Sequence, residues 1–324
     1  MKRIAYLAQK AALSITETPK FFFPKKNIRL GMTLLVKDEA DILETNLRFH
    51  HAMGVDFFIV TDNNSSDNTP EIIEHYVKKG WVKAYIRETA SGYEQKKWVD
   101  RMIWMAKREH DADWVINADA DEFWYAPSGS LKDAMAAAGL HNVLRCQLSN
   151  VYPEEGEPLQ EWNRIIRPVD DAERFPLSRF TIFNQSRPKV AHRTAGYIQI
   201  SFGNHKVAMF PFCRKMADIR IYHYNCRGRQ HFMRKAINGG KELETHQGKH
   251  GGRHWRYFYD LYKKGKLEEE YDRVAGTNCL DKLEREGYLY KDNTMPDFFQ
   301  NHAIIWRKPA FPSYETCVPH HRAQ

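Results

Sequence analysis

The chain has 324 residues, 42% of them hydrophobic and 13% aromatic, and carries a formal net charge of +8. A chain of this length buries about three quarters of its extended surface, so one large domain, alone or with a substantial extension, is expected. The positive charge suits an anionic partner, but it is spread along the chain rather than gathered in one block, which argues against nucleic acid. Five cysteines without a Cys-x-x-Cys pair exclude a disulfide framework and point to a reducing compartment; Cys213, His223, Cys226 and His231 match no common zinc spacing. No apolar run approaches the roughly 20 residues needed to cross a bilayer, so a soluble or peripheral protein is expected.

Taken in order, residues 1–18 place Ile4, Leu7, Ala8, Ala11, Ala12 and Ile15 at helical spacing, with Lys2, Arg3 and Lys10 left for polar surroundings. Gln9 and Lys10 interrupt the apolar residues too early for a signal peptide. A helix packed on the domain is the first reading. The second is an interfacial helix on anionic lipid, followed by Phe21, Phe22, Phe23, Lys25 and Lys26.

From Arg29 strands and helices alternate. Residues 30–36 read as a strand, Asp41 and Glu44 as a capping box for a helix ending before Gly54, and residues 55–60 as a second strand. A polar loop, residues 61–70, follows, with Thr69 as N-cap and Pro70 at the first helical position. Its helix turns Ile72, Ile73, Tyr76 and Val77 inward, stops at Gly80, and leads to a strand at 81–86. Short strands separated by helices mean crossover connections and a parallel sheet, whose ligands sit beyond the carboxyl ends of the strands. Residues 94–108 form a further helix, with Lys97 and Arg101 on one face.

The stretch that decides the chemistry is residues 113–124. Trp114, Val115 and Ile116 read as a buried strand ending in Asp119, Asp121 and Glu122. Asp119 and Asp121 stand two apart, on one side of an extended backbone. Two carboxylates about 5 Å apart repel by roughly 3 kcal/mol at an effective dielectric near 20, so such a pair needs a divalent ion, a proton or a basic partner. A hard cation with oxygen ligands fits this setting best. Ala118 and Ala120 leave room for a bulky anion, and Phe123 with Trp124 can anchor the loop. This loop and residues 61–70 occupy carboxyl ends of strands and are expected to share one crevice.

Residues 36–40 (Val-Lys-Asp-Glu-Ala), the Gly54-Val55-Asp56 helix exit, residues 62–67 and residues 119–123 together resemble the family 2 (GT-A) glycosyltransferases of the bacterial surface-polysaccharide type, over roughly residues 29–135. The resemblance implies a GT-A fold, a mixed, mainly parallel α/β sheet flanked by helices, with a helical C-terminal extension. It implies transfer of a sugar from a UDP- or GDP-sugar to a glycan or lipid-linked acceptor, hexosyl in type and inverting, with Mn2+ or Mg2+ as cofactor. By position, Asp62 and Asp67 fall on the nucleoside side, Asp119 on the ribose and Asp121 on the metal, with Asp38 also among the donor-binding residues. Many members carry two adjacent acids where this chain has Asp62-Asn63. Related enzymes often add a downstream histidine to the metal, and His223, among alternating apolar residues, is favoured over His205 and His192.

Beyond residue 139 a strand at 143–151 and short alternating segments at 189–193, 197–202, 203–207 and 219–224 suggest added antiparallel strands. Arg227, Arg229 and Lys235 surround the start of a helix at 229–238, an arrangement suited to a diphosphate. Residues 238–246 read as a flexible polar stretch able to close over substrates. Inverting transfer needs a carboxylate to take the acceptor proton, for which Glu244 is chosen, with Glu242 next. In residues 254–262, Trp255, Phe258, Tyr259 and Tyr262 share a helix face read as packed core. The expected division is an N-terminal arm (1–27), a glycosyltransferase domain (28–228) and a helical extension and tail (229–324), placed in the cytoplasm or peripherally at the inner membrane face. Two other readings stand beside this one: a sugar nucleotidyltransferase, whose Gly-rich basic loop after the first strand is missing here, and a non-catalytic carbohydrate-binding scaffold.

Overall fold

The computed structural model describes residues 2–89, 94–167, 187–245, 253–276 and 280–305. The chain begins with α1 (Lys2–Thr16), α2 (Thr18–Phe22), β1 (Leu30–Val36), α3 (Leu43–Ala52), β2 (Phe57–Asp62), α4 (Thr69–Lys78), β3 (Val82–Arg87) and α5 (Gln95–Arg108). Next come β4 (Trp114–Ala118), β5 (Glu122–Tyr125), α6 (Leu131–Ala136), β6 (Val143–Asn150), β7 (Arg164–Ile166), β8 (Lys189–Arg193), β9 (Tyr197–Ile200), β10 (Val207–Met209) and β11 (Arg214–His223). The last are α7 (Arg229–Thr245), α8 (Arg253–Lys263), α9 (Leu267–Ala275), α10 (Leu280–Arg285), β12 (Leu289–Lys291) and α11 (Thr294–Asn301). Two units emerge, residues 1–149 with 186–223, and residues 150–185 with 224–324.

In the first unit, eight strands among the described residues form one sheet in the order β3-β2-β1-β4-β8-β6-β11-β5. β1 runs parallel to β2 and β4, and β2 parallel to β3; β8 lies antiparallel to β4 and β6, and β11 antiparallel to β5. Helices flank this mixed α/β sheet. β1 is central because Leu30, Met32 and Leu34 are fully buried and the intervening positions are covered too, as a strand packed on both faces requires. α5 and the β9–β10 hairpin close one face, packing Val99, Met102, Ile103 and Ala106 with Tyr197, Ile200 and Met209 against Phe57, Ile59 and Val115.

Several local expectations are corrected. α3 begins at Leu43 with Ile42 at its N-cap and no side-chain cap, so Asp41 and Glu44 form no capping box. Instead the Glu39 carbonyl accepts from the Ile42 and Leu43 amides at 3.0 and 2.9 Å. Thr69 lies inside α4, whose N-cap is Asn68; its hydroxyl accepts from the Glu39 amide at 3.0 Å, a bond between loops in place of a cap. Val77 is 41% exposed, leaving Ile73 and Tyr76 to bury the helix. Lys10 does not face water but is 4% exposed, with its ammonium 2.5 Å from Asp100 on α5. Glu17 bonds Lys107 at 2.6 Å and the Gly196 amide at 2.8 Å, so the N-terminal segment is fastened to the first unit.

The second unit contains α7, α8 and α9 and the β7–β12 ribbon. α7 runs on to Thr245, so residues 238–245 are helical rather than a flexible stretch; the side chain of Glu242 and all of His246 lie outside the described residues, as do Cys279, Cys317 and residues 306–324. Two glycines, normally destabilising inside a helix, have a packing reason here. A Cβ on Gly239 would stand 2.8 Å from the Trp255 ring, and one on Gly240 would meet the Tyr259 ring carbon Cγ, so α7 and α8 approach through these positions. The aromatic face of α8 is packed core: Phe258 joins Met233, Ala236, Ile237 and Leu267, with Trp255, Tyr259 and Tyr262 against it. Gly240→Ala is therefore expected to destabilise this unit by about 1–3 kcal/mol through overpacking, although alanine favours an isolated helix. Thermal unfolding measures it; an unchanged or raised melting temperature would show that the close approach is dispensable.

Candidate active site

The strand order determines where a ligand belongs. From β1 the chain steps outward to β2 and β3 on one side, while β4 lies on the other, so the loops after β1, β2 and β4 surround the point at which the strand order reverses. Register agrees: Val36 stands beside Asp62, and Leu34 beside Ala118, so the carboxylates that follow emerge at the same edge.

On one side of that edge three acids tie two loops together. Asp38, at φ 53°, is in the left-handed region that Asp tolerates. It accepts from the Ser66 amide at 2.6 Å and hydroxyl at 3.0 Å, while its own amide donates to the Ser65 hydroxyl at 2.9 Å. Asp62, 3% exposed, accepts from the Ser65 amide and hydroxyl at 3.0 and 2.5 Å and from the Tyr85 hydroxyl at 3.3 Å. Asp67 accepts from the Ala40 amide at 3.1 Å and the Thr69 amide at 3.0 Å, so both its oxygens face loop backbone.

On the other side lies the acidic cluster. Asp121 is 3% exposed, and its Oδ1 is 3.4 Å from His223 Nε2, because β11 pairs with β5 and sets His223 opposite Glu122. The basic partner that the cluster requires is Lys189 at the start of β8. Its ammonium, 5% exposed, lies 2.7 Å from Asp119 and 2.5 Å from Glu122. Two carboxylates favour the charged form of Lys189 and raise its pKa against the opposing pull of burial. Burial pushes Glu122 up to about 7, although Lys189 pulls the other way. Asp119 keeps 40% of its side chain exposed at the mouth of the cluster.

Neutral groups hold the loop from behind. Asn46 on α3 donates to the carbonyls of Ala120 at 2.8 Å and Glu122 at 3.0 Å. One turn on, His50 Nε2 accepts from the Trp124 amide at 3.0 Å, while Nδ1 donates to the Asn46 carbonyl at 2.9 Å. Burial lowers His50 to about 3. Beneath β4, Thr33 donates to Asn117 at 2.7 Å and Asn117 to His192 Nε2 at 3.2 Å; burial lowers His192 to about 4, so this histidine braces the strand as a neutral ring. His205 bonds the Pro188 carbonyl at 3.2 Å.

The structure thus brings together Asp119, Asp121 and His223 on one side of the switch point and Asp38, Asp62 and Asp67 on the other. Arg227 and Glu244 belong to the second unit. There the Arg227 amide donates to His231 Nδ1 at 3.2 Å and its guanidinium to the Tyr224 carbonyl at 3.3 Å. Glu244 accepts from Lys263 at 2.9 Å. At the start of α7 the Arg229 amide donates to the Glu155 carboxylate at 2.5 Å, so an internal anion already sits at that helix end. The residues that motif reading passed over are Lys189, Asn46 and His50. Asn46 and His50 carry a signal: polar side chains four apart between Leu43, Leu47 and Phe49 on a buried helix face.

With this geometry in view, residues 33–155 match the family model of glycosyltransferase family 92. The match is to a glycosyltransferase model and covers less than half of the chain. The motifs resemble family 2, and the matching model is that of family 92; both are glycosyltransferase families. Both loop systems, from Asp38 to Glu122, fall inside the matched residues, whereas Lys189 and His223 lie beyond them. No curated protein matches the chain. Among solved structures, it is similar to residues 1–349 of TarS from S. aureus in complex with UDP, at 14% identity over 80% of this chain and 77% of that one, TM-score 0.38. It is similar to the mannosyltransferase PcManGT from Pyrobaculum calidifontis in complex with GDP-Man and Mn2+, at 14% identity over 91% and 98%, TM-score 0.35. A third likeness is to glucosyl-3-phosphoglycerate synthase from Mycobacterium tuberculosis, at 15% identity over 40% and 47%, TM-score 0.27.

Proposed function

We propose that the chain transfers a hexosyl group from a nucleotide diphosphate sugar to a glycan or lipid-linked acceptor in surface-polysaccharide synthesis, by inversion and with a divalent cation. The observation that carries this reading is the separation of Asp121 and His223. Their ligating atoms lie 3.4 Å apart, near the roughly 3 Å between adjacent ligands of an octahedral ion with bonds of about 2.1 Å. The carboxylate suits Mn2+ or Mg2+, the imidazole favours the transition metal of the two, and Asp121 and His223 would hold it. Among the described residues no group of three or more His, Cys, Asp or Glu is gathered to hold a metal. The ion, when bound, supplies charge neutralisation for the departing diphosphate.

The chain's own residues perform the rest. Lys189 offsets Asp119 and Glu122, which aims the half-exposed Asp119 at the crevice as a hydroxyl acceptor for the ribose. Asp38 and Asp62 hold the loops that flank the nucleoside. Calorimetry with UDP and GDP, with and without Mn2+, followed by a donor-hydrolysis screen of nucleotide sugars, tests the proposal. Metal-dependent binding of one nucleotide and hydrolysis of one of its sugars are expected. Absence of metal-dependent binding across the panel would leave a carbohydrate-binding scaffold as the better reading.

A further inference from the structure

We propose that the amino-end pole of the first unit, on the side of the sheet opposite the carboxylate crevice, is a docking face for an anionic lipid bilayer. Four segments distant in sequence converge there. Arg193, at the end of β8, sends its guanidinium to the carbonyls of Phe21, at 3.3 Å, and of Gly139. The Arg193 amide donates to the Asn142 carbonyl at 2.9 Å, and the Asn142 side chain bonds the Pro211 carbonyl at 2.7 Å and the Cys213 amide at 2.9 Å. Gly196 accepts from the Phe210 amide at 2.9 Å while its own amide donates to Glu17 at 2.8 Å. Arg193 pairs with Trp114, the first residue of β4, which fixes the whole group at the amino end of the parallel strands.

These bonds are made by backbone and polar groups, and they leave large apolar side chains pointing outward. Phe22 is 57% exposed, Phe23 80%, Leu140 47%, Phe210 48% and Phe212 51%. They stand on three short segments, Phe22 with Phe23, Leu140, and Phe210 with Phe212, at turns and element ends, so they form separate tips and not a groove for a helix or strand. Such tips suit the headgroup–acyl boundary, where aromatic rings are favoured. The charge around them selects the lipid. Lys20, Lys25, Lys26 and Arg214 are exposed in the same segments. Of the nearby acids, Asp56 bonds the Leu30 amide at 2.7 Å and Lys132 at 2.6 Å, and Asp113 bonds the Arg29 amide at 2.9 Å and Lys25 at 2.8 Å, so both are offset by cations, while Asp111 is exposed beside them. The surface is therefore apolar at its tips and basic at its rim, the complement of an anionic leaflet. Among the described residues no helix is long and apolar enough to cross a membrane.

The test is flotation of the full chain with vesicles of phosphatidylglycerol and phosphatidylcholine, beside vesicles of phosphatidylcholine alone. The wild type is expected to float with the anionic vesicles, weakly with the neutral ones, and less as salt rises. F22S/F23S/F210S/F212S is expected to lower the floated fraction at least tenfold at an unchanged melting temperature. K20E/K25E/K26E, which keeps every aromatic tip, is expected to abolish the preference for anionic vesicles, so the proposal stays testable even where the four-serine variant does not fold. A wild type that stays at the bottom of the gradient, or variants that float like it, would overturn the proposal. So would sedimentation showing a wild-type dimer that the serine variant dissolves, which would assign the face to a second copy of the chain.

Discussion

Asp121→Ala is expected to lower donor turnover by about 10³-fold, roughly 4 kcal/mol of transition-state stabilisation, while the melting temperature changes little. The size of the loss follows from what the carboxylate does. A departing diphosphate gains charge as the glycosidic bond breaks, and in a partly buried crevice an uncompensated charge is far more costly than in water. Binding of ground state and transition state alike would alter only affinity; an interaction that grows as the bond breaks alters the rate. Asp121 is buried just before β5, with its Oδ1 3.4 Å from His223 Nε2, so its loss removes one of the two proposed protein ligands and no packed apolar surface. Turnover measured after chelation and re-addition of Mn2+ separates the possibilities. Wild type should lose activity on chelation and recover it with the ion, and the variant should do neither. Full activity of Asp121→Ala in stripped buffer would refute the cation site.

Lys189→Met should cost about 3–5 kcal/mol of stability, because it removes the ammonium that bonds both carboxylates and leaves Glu122, fully buried, facing Asp119. The loss must depend on pH, and its sign follows from the raised pKa of Glu122. Burial lifts that carboxyl to about 7 in the folded chain, above its ordinary 4.5. A carboxyl whose folded pKa is raised favours folding most below its unfolded pKa, and that advantage disappears as pH rises through the folded value. Without Lys189 the ionised form is costlier still, so the deficit of the variant relative to wild type is largest above pH 7. It shrinks toward pH 5, where Glu122 takes up its proton. Chemical denaturation of both proteins at pH 5, 6, 7 and 8 measures this; a deficit independent of pH would show that Lys189 contributes packing and not charge.

The strand–helix alternation from Leu30 to Arg108 was legible because each strand is an apolar run bounded by turn residues, a pattern that local sequence carries. The edge at which the acids gather was legible for the same reason, since parallel strands joined by helices place their exits together. Lys189 was not legible. It lies 70 positions from Asp119, and only the antiparallel insertion of β8 beside β4 brings it there. The length of α7 was misread because two adjacent glycines usually end a helix, whereas here the rings of Trp255 and Tyr259 occupy the space a side chain would need. Capping at Thr69 failed for a related reason: the hydroxyl serves a neighbouring loop whose proximity no local window contains.

The braces behind the acidic loop are all uncharged, and this determines how the domain meets acid. His50 and His192 refuse protons down to about 3 and 4, while the same rings in an unfolded chain take them up near 6.5. As the medium sours, the unfolded chain gains what the native chain declines, so stability drains from the molecule as a whole before its scaffold is locally released. Loss of the crevice in acid is therefore expected to coincide with cooperative unfolding rather than to precede it.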